Sequence, residues 1–205
     1  ADDADDEIDA GDGTNLVYGY AGDDTITTGS GVDVVYGGDG DDVIEAGDGN
    51  NTVYGGSGDE TVTAGSGDDL IDVRVDSGDG SLTTHVIHAG AGDNVVHGDE
   101  GDDTINSDGG ADLVYAHAGN NVIAVGDGDD TVYSTSGDDT ITSSDGDDFI
   151  DSGNGHDSIV AGIGDDVVIS GGGQDTISAQ NGDDNISAGD GNDLVYASAG
   201  DDTVD

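Results

Sequence analysis

The sequence predicts an all-β fold, a parallel β-roll or β-solenoid with 18 residues per coil, about 11 coils and two parallel sheets. Three observations predict it. A nine-residue repeat runs through the 205 residues, one position of the repeat is always Ile or Val, and another is nearly always Gly. β-Branched residues favour strands, and glycine at a fixed spacing indicates a turn.

The repeat is most regular from Gly38 to Asp72, which is written GDGDDVIEA, GDGNNTVYG, GSGDETVTA and GSGDDLID. We count places one to nine with Asp2 at the first place. Eight units fill 2–73, the seven residues 74–80 break the phase, a degenerate unit fills 81–89, and thirteen units follow from Gly90. We therefore expect one continuous solenoid, with repeats at 1–73 and 90–205. The stretch 74–89 is an insertion with a degenerate repeat. The insert 74–80 is interpreted as an external loop, and the alternative is a partner site formed by the insert together with the degenerate unit.

The seventh place defines the strands. It is Ile or Val in all 22 units, and one inward residue between two outward ones predicts a three-residue strand at places six to eight. The third place is Gly in 20 of 22 units, so a turn precedes each strand. Two turns and two strands make one 18-residue coil, and stacked coils enclose the Ile and Val side chains between two sheets.

The charge excludes several classes of partner. The chain has 49 acidic residues and a single base, Arg74, for a net charge of -48. Nucleic acid and anionic membranes are unsuitable for such a surface, and no apolar run is long enough for membrane insertion. Multivalent cations are the expected partners, since they would offset the self-repulsion of a compact chain. A disordered acidic tail is the alternative, and we expect that state when cations are absent.

The fifth place carries the candidate metal ligands. Loops of successive coils lie about 4.8 Å apart, so carboxylates from two coils and turn carbonyls share one gap. Such a flexible, all-oxygen environment suits Ca²⁺ better than Mg²⁺ or Zn²⁺, whereas Asp that merely solvates turns is the alternative. Glu60 and His85 hold this place in two units, where we expect weak binding or none. The candidate ligands are Asp6, Asp24, Asp33, Asp42, Asp69, Asp103, Asp112, Asp130, Asp139, Asp148, Asp157, Asp166, Asp175, Asp184, Asp193, Asp202, Asn15, Asn51, Asn94 and Asn121.

One stretch carries a resemblance to a known family. The segment GGDGDDVIE, Gly37 to Glu45, is similar to the G-G-x-G-x-D-x-U-x nonapeptide of RTX (repeats-in-toxin) proteins, and the resemblance covers the chain apart from 74–89. It implies a parallel β-roll that folds on binding Ca²⁺ outside the cell. It also implies that Asp42 and its equivalents give carboxylate oxygens, completed by backbone carbonyls of glycine turns such as Gly38, Gly40, Gly126 and Gly128.

Charge arithmetic agrees with calcium. Eleven coils have ten gaps on each of two edges, which gives up to about 20 Ca²⁺. Twenty ions would change the net charge of -48 to about -8.

We found no set of residues arranged for catalysis. The five histidines fall at different places and faces, and no serine has a nucleophile-elbow context.

The predicted function is a non-catalytic, calcium-stiffened segment of a secreted or cell-surface protein, such as a surface layer, matrix fibre or adhesin. The last unit runs into the first in phase, so we expect head-to-tail self-association or neighbouring domains in a longer chain. The main alternative is a secretion and folding module of a type I-secreted enzyme or toxin. Threonine pairs such as Thr25 and Thr27 suggest ice binding as a minor alternative. Tyr18, Tyr36 and Tyr54 mark an outer stripe, either an interface or stacking across coils.

Overall fold

The computed structural model describes residues 3–74 and 82–205. Every regular element in these two ranges is a β-strand. Most strands occupy places six to eight or extend one to three residues beyond them. The prediction that residues 74–80 form an external loop lies, apart from Arg74, outside the described residues.

Two sheets of 11 parallel strands form the roll. The first sheet consists, in spatial order, of β1 Glu7–Gly11, β3 Thr25–Thr28, β5 Val43–Gly47, β7 Thr61–Ala64, β9 Val86–His88, β11 Thr104–Asn106, β13 Val122–Gly126, β15 Thr140–Ser143, β17 Ser158–Ile163, β20 Thr176–Asn181 and β23 Leu194–Tyr196. The second consists of β2 Leu16–Ala21, β4 Val34–Asp39, β6 Thr52–Ser57, β8 Leu70–Asp72, β10 Val95–His97, β12 Leu113–Ala118, β14 Thr131–Ser136, β16 Phe149–Asp151, β18 Val167–Ile169, β21 Asn185–Ser187 and β24 Thr203–Val204. The pair β19 Gly172–Gly173 and β22 Asp190–Gly191 forms a small third sheet in the turns. The predicted parallel β-roll of 18-residue coils is confirmed.

Strand register follows the repeat directly. Ile8 pairs with Ile26, and Ile26 pairs with Ile44, so partners are 18 residues apart. Across the insertion the offset grows to 25 in both sheets, as in the pairs Val62 with Ile87 and Ile71 with Val96. The difference of seven equals the length of 74–80, so both sheets keep their order past that segment.

The core is a narrow column of β-branched residues. The seventh-place side chains of the inner coils, from Ile26 to Ile186, are almost fully buried. A second inward row lies at the ninth place, where Ala46, Ala116 and Ala161 are fully buried. We did not predict this second row, although the small residues repeated at that place were its signal. Burying one Ile or Val contributes about 1.5–3 kcal/mol, whereas ordering the nine residues of its unit costs roughly 1–2 kcal/mol each in backbone entropy. Apolar burial alone therefore does not hold a coil.

Aromatic rings form ladders on the outside of the second sheet. The Tyr18 and Tyr36 centroids are 4.8 Å apart with planes at 6°, and those of Tyr36 and Tyr54 are 4.9 Å apart at 14°. His97 and Tyr115 continue the pattern beyond the insertion at 4.8 Å and 5°. Stacking across coils therefore occurs, and Tyr18 and Tyr36 also remain partly exposed. In the described ranges, no helix is long and apolar enough to span a membrane.

Candidate metal sites along the two edges of the roll

The fifth-place carboxylates lie inside the turns. Asp33, Asp42 and Asp130 are at most 1 % exposed, because the chain turns inward immediately before each strand. Each backbone N–H at this place donates to the fifth-place side chain one coil further on. Asp24 N–H donates to Asp42 Oδ1 at 2.9 Å, and Asp112 N–H donates to Asp130 Oδ1 at 2.8 Å. This ladder positions one oxygen of every inner carboxylate.

The second oxygen of many of these carboxylates is buried without a partner. A buried carboxylate oxygen without a hydrogen-bond donor lowers the stability of the fold, and a bound cation can supply the missing interaction. Among the described residues, no hydrogen bond reaches Oε1 of Glu60 or Oδ2 of Asp24, Asp33, Asp42, Asp69, Asp112, Asp130, Asp139, Asp166, Asp175 and Asp184.

At Asp42 and Asp24 this oxygen lines a small space that it shares with a backbone carbonyl. A Cβ atom built on Gly37 would overlap Asp42 Oδ2 and would lie 2.5 Å from the Gly55 carbonyl oxygen, one coil away. The same arrangement repeats at Gly19, between Asp24 Oδ2 and the Gly37 carbonyl. A carboxylate and a carbonyl oxygen around one space are ligands of the type that Ca²⁺ takes at 2.3–2.6 Å. At these two places the residues present therefore fit calcium.

Burial also changes the acidity of these groups. It raises the pKa of Asp130 and of Asp166 to about 7, to which the like charges of the neighbouring coils add. Burial raises the pKa of Asp42 and Asp69 to about 6 and that of Glu60 to about 8. Without bound cations, the roll would therefore hold a column of carboxylates that resist ionisation, and this resistance is the electrostatic cost that a cation would remove.

This cost predicts a pH dependence. The pKa values of Asp130 and Asp166 are higher in the roll than in the unfolded chain, so without calcium the roll binds more protons than the unfolded chain between about pH 4 and 7. The free energy of unfolding therefore increases as the pH falls and is lost as the pH rises through about 7. In EDTA without added calcium, the β-sheet signal in circular dichroism should be larger at about pH 5 than at about pH 8. The double variant Asp130→Asn/Asp166→Asn should respond less, and a larger signal at the alkaline end would contradict the account.

The asparagines fill the same positions with different chemistry. Asn51 and Asn94 accept the ladder hydrogen bond through Oδ1, as the aspartates do. Their Nδ2 groups donate to turn carbonyls: Asn51 to Gly47 at 3.0 Å, and Asn94 to Gly90 at 3.1 Å and Gly92 at 2.9 Å. The Nδ2 groups of Asn15 and Asn121 likewise donate to the carbonyls of Gly11 and Gly119. These amides occupy carbonyls that a cation would use, and their role as ligands stays a prediction.

Ninth-place hydroxyls reach two further carboxylates. Ser143 Oγ donates to Asp148 Oδ2, and Ser152 Oγ donates to Asp157 Oδ2 at 2.6 Å. These aspartates have partners for both oxygens, unlike those with an unpartnered Oδ2. The hydroxyls were not predicted as part of the site.

The predicted residues near the ends of the roll are less enclosed. Asp6, Asp193 and Asp202 are only partly buried, since each lies in an outermost coil. Asp193 Oδ1 and Asp202 Oδ1 accept ladder hydrogen bonds at 3.0 and 3.1 Å. Of the glycines predicted to give carbonyls, Gly40 and Gly128 lie in turns, whereas Gly38 and Gly126 lie at or near the ends of β4 and β13, and all four have positive φ.

A second ladder at the fourth place escaped the sequence analysis. Asp41 N–H donates to Asp23 Oδ1, and Asp59 N–H donates to Asp41 Oδ1, both at 2.9 Å. These side chains are exposed, and the bonds point in the opposite chain direction to those of the fifth place. The signal was present, because the fourth place is Asp in 13 of 22 units. The outer ladder orders the turns while the inner carboxylates face the gaps.

Buried carboxylates, unpartnered oxygens and stacked glycine turns define a class of protein, the β-solenoids whose turns bind cations between coils. The comparison with family models gives the particular family. The model described as RTX calcium-binding nonapeptide repeat (4 copies) matches residues 1–35, 36–71, 86–114, 107–141, 125–159, 142–177 and 178–205. The chain belongs to the RTX calcium-binding repeat family, as the sequence predicted, and is a calcium-binding structural module. In the comparison with curated proteins no sequence matched.

Proposed function

We propose that this chain is a structural segment of a secreted or cell-surface protein that folds and stiffens when Ca²⁺ fills the gaps between its coils. The observation that carries the proposal is the row of buried, unpartnered carboxylate oxygens repeated along both edges. The chain carries a net charge of -48 on 205 residues, so bound Ca²⁺ ions would also reduce the electrostatic repulsion within the roll. Eleven coils spaced by about 4.8 Å make a rod roughly 50 Å long.

The positions of the unpartnered oxygens indicate which gaps should bind calcium most strongly. We assign calcium first to the gaps lined by aspartates with a free Oδ2, such as Asp130 and Asp166, each with glycine-turn carbonyls of the adjoining coil. Gaps lined by Asn51 or Asn94 offer one carboxylate less and already have their carbonyls occupied, so we expect weaker binding there. The upper bound remains about 20 ions, with occupancy decreasing at the asparagine levels.

The chemistry of the sites supports an extracellular location. Calcium sites of extracellular modules bind at about 10⁻⁴–10⁻³ M, well above the calcium concentration of a cytosol. A chain with such sites stays unfolded before export and folds outside the cell. A surface layer, a matrix fibre or an adhesin would each use a rod of this kind.

The sheet ends favour self-association or further coils. β1 and β23 are the outermost strands of the first sheet, and open strand edges pair readily with other strands. The second candidate function, a secretion and folding module of an exported enzyme or toxin, shares the calcium sites but places neighbouring domains of the same chain at the ends. Ice binding is the least supported alternative, because exposed Val43 and Val122 interrupt the threonine face.

Electron microscopy at millimolar Ca²⁺ separates the first two candidates. Filaments that dissolve in chelator are the result expected for a self-associating structural segment. Fusion of a small globular domain to the C-terminus should cap such filaments and leave the calcium-induced folding unchanged. Folded monomers at every protein concentration would overturn self-association and favour the secretion module.

A further inference from the structure

One junction between coils departs from the pattern at three residues that contact each other. Thr83 replaces Gly at the third place, and His85 replaces Asp at the fifth place. Asp99, at the first place one coil further on, buries its carboxylate to 7 % exposure, whereas Asp108 at the same place is exposed. Thr83 Oγ1 donates to Asp99 Oδ2 and lies 3.0 Å from His85 Nε2. The three departures therefore form one connected network.

The hydrogen bonds of His85 determine its tautomer. Its Nδ1 accepts the Glu60 N–H at 3.1 Å, as a carboxylate oxygen does at the other levels. The ring proton must then be on Nε2, which faces Thr83 Oγ1 and lies 3.6 Å from Asp99 Oδ2. A nitrogen that carries a proton offers no lone pair to a metal ion. His85, Asp99 and Asp103 have ligand atoms within 4.8 Å of one another, but this tautomer opposes coordination.

The carboxylates of this junction are also fully partnered. Asp103 Oδ1 accepts the His85 N–H, and Asp103 Oδ2 accepts the Asp99 N–H, both at 3.0 Å. Asp99 Oδ1 accepts the Gly101 N–H at 2.8 Å, while its Oδ2 accepts the Thr83 hydroxyl. All four oxygens therefore have donors, in contrast to the unpartnered Oδ2 atoms of Asp42, Asp130 and Asp166.

We propose that the Thr83–His85–Asp99 network is a calcium-independent junction, in which hydrogen bonds take the place that an ion takes between other coils. The inference rests on the proposed function, because it assumes that other junctions bind calcium. The network joins the coil of His85 to the next coil, where Ile87 pairs with Ile105 at the usual offset of 18. It lies one level beyond the junction with the offset of 25, at which Val62 pairs with Ile87, and it holds the register of the first regular junction after the insertion without an ion.

The test is the number of Ca²⁺ ions bound per chain, measured by native mass spectrometry and equilibrium dialysis. His85→Asp, and the triple variant Thr83→Gly/His85→Asp/Asp99→Gly, restore the ligand and the glycines of a standard unit. We expect each to bind about one to two ions more than the wild type, since a fifth-place residue adjoins two gaps. His156→Asp is the matched control. His156 is exposed at the fourth place and accepts the Gln174 N–H, so the same change of charge there should add no ion.

Two results would overturn the inference. The first is a triple variant that folds in calcium and binds no more ions than the wild type. The second is Co²⁺ bound by the wild type with a histidine-ligation spectrum that His85→Gln abolishes, which would make the cluster a transition-metal site. A wild-type chain that binds no Ca²⁺ would overturn the proposed function instead, and the inference with it.

Discussion

Removal of calcium should unfold most of the roll. A site with a dissociation constant of about 1 mM contributes about 1.4 kcal/mol at about 10 mM free Ca²⁺. About ten such sites, the number of described aspartates with an unpartnered Oδ2, would contribute about 14 kcal/mol. This is comparable to the entire stability of an ordinary domain, about 5–15 kcal/mol, so little should remain when the ions are withdrawn.

The measurement is far-ultraviolet circular dichroism during a calcium titration of the chelated chain. At about pH 8, we expect a spectrum of unfolded chain in EDTA and a cooperative rise of β-sheet signal at about millimolar Ca²⁺. Mg²⁺ at the same concentration is the control. It demands octahedral geometry and keeps its waters, so it should restore much less structure. Equal β-sheet signal with and without calcium would contradict calcium-dependent folding.

Gly49→Ala should be among the most damaging single substitutions. Gly49 has φ +117°, and an added Cβ would overlap the carbonyl oxygen of Gly31 in the preceding coil. The two turns cannot separate easily, because backbone hydrogen bonds join the coils. Gly31 N–H donates to the Asp48 carbonyl at 2.9 Å, and Gly49 N–H donates to the Ser66 carbonyl at 2.6 Å. Overpacking of this kind costs about 1–3 kcal/mol beyond the backbone strain of a side chain at positive φ.

Gly13→Ala is the matched control for this prediction. Gly13 lies at the same place and edge, with φ +116°, but an added Cβ there meets no atom within 4 Å. Both variants carry the conformational strain, and only Gly49→Ala carries the overlap between coils. In denaturant titrations at fixed Ca²⁺, Gly49→Ala should be less stable by about 1–3 kcal/mol than Gly13→Ala. Equal stability of the two variants would show that the coils do not stack through their glycine turns.

The fold could be predicted because its information lies in short, repeated units. Ile or Val at every seventh place and Gly at nearly every third place define both the strand and the turn of each coil. The offset of 18 residues then follows from the need to bury both strands of a coil against each other. The ninth-place row was missed although small residues such as Ala46 and Ala161 repeat there, because the ninth place also holds Gly and hydroxyl residues and so lacks the uniform apolar character of the seventh.

The candidate site was only partly accessible from the sequence. The pattern identified the fifth place, but it could not tell that one oxygen of Asp130 is held by a backbone N–H while the other is left unpartnered. Nor could it reveal that Ser152 reaches Asp157, since that contact depends on the inward turn of the ninth place. His85 appeared to be a defective ligand. Its contacts with Thr83 and with Asp99, one coil away, become visible only in three dimensions.

The most direct test of the central claim is a crystal structure of the chain grown in calcium, with anomalous diffraction used to locate the ions. We expect a row of Ca²⁺ along each edge, at about 2.3–2.6 Å from the Oδ2 atoms that are unpartnered here, including those of Asp42, Asp130 and Asp166. Ions bound only beside the exposed fourth-place carboxylates, or a folded roll with empty gaps at these aspartates, would contradict the claim that calcium holds the coils together.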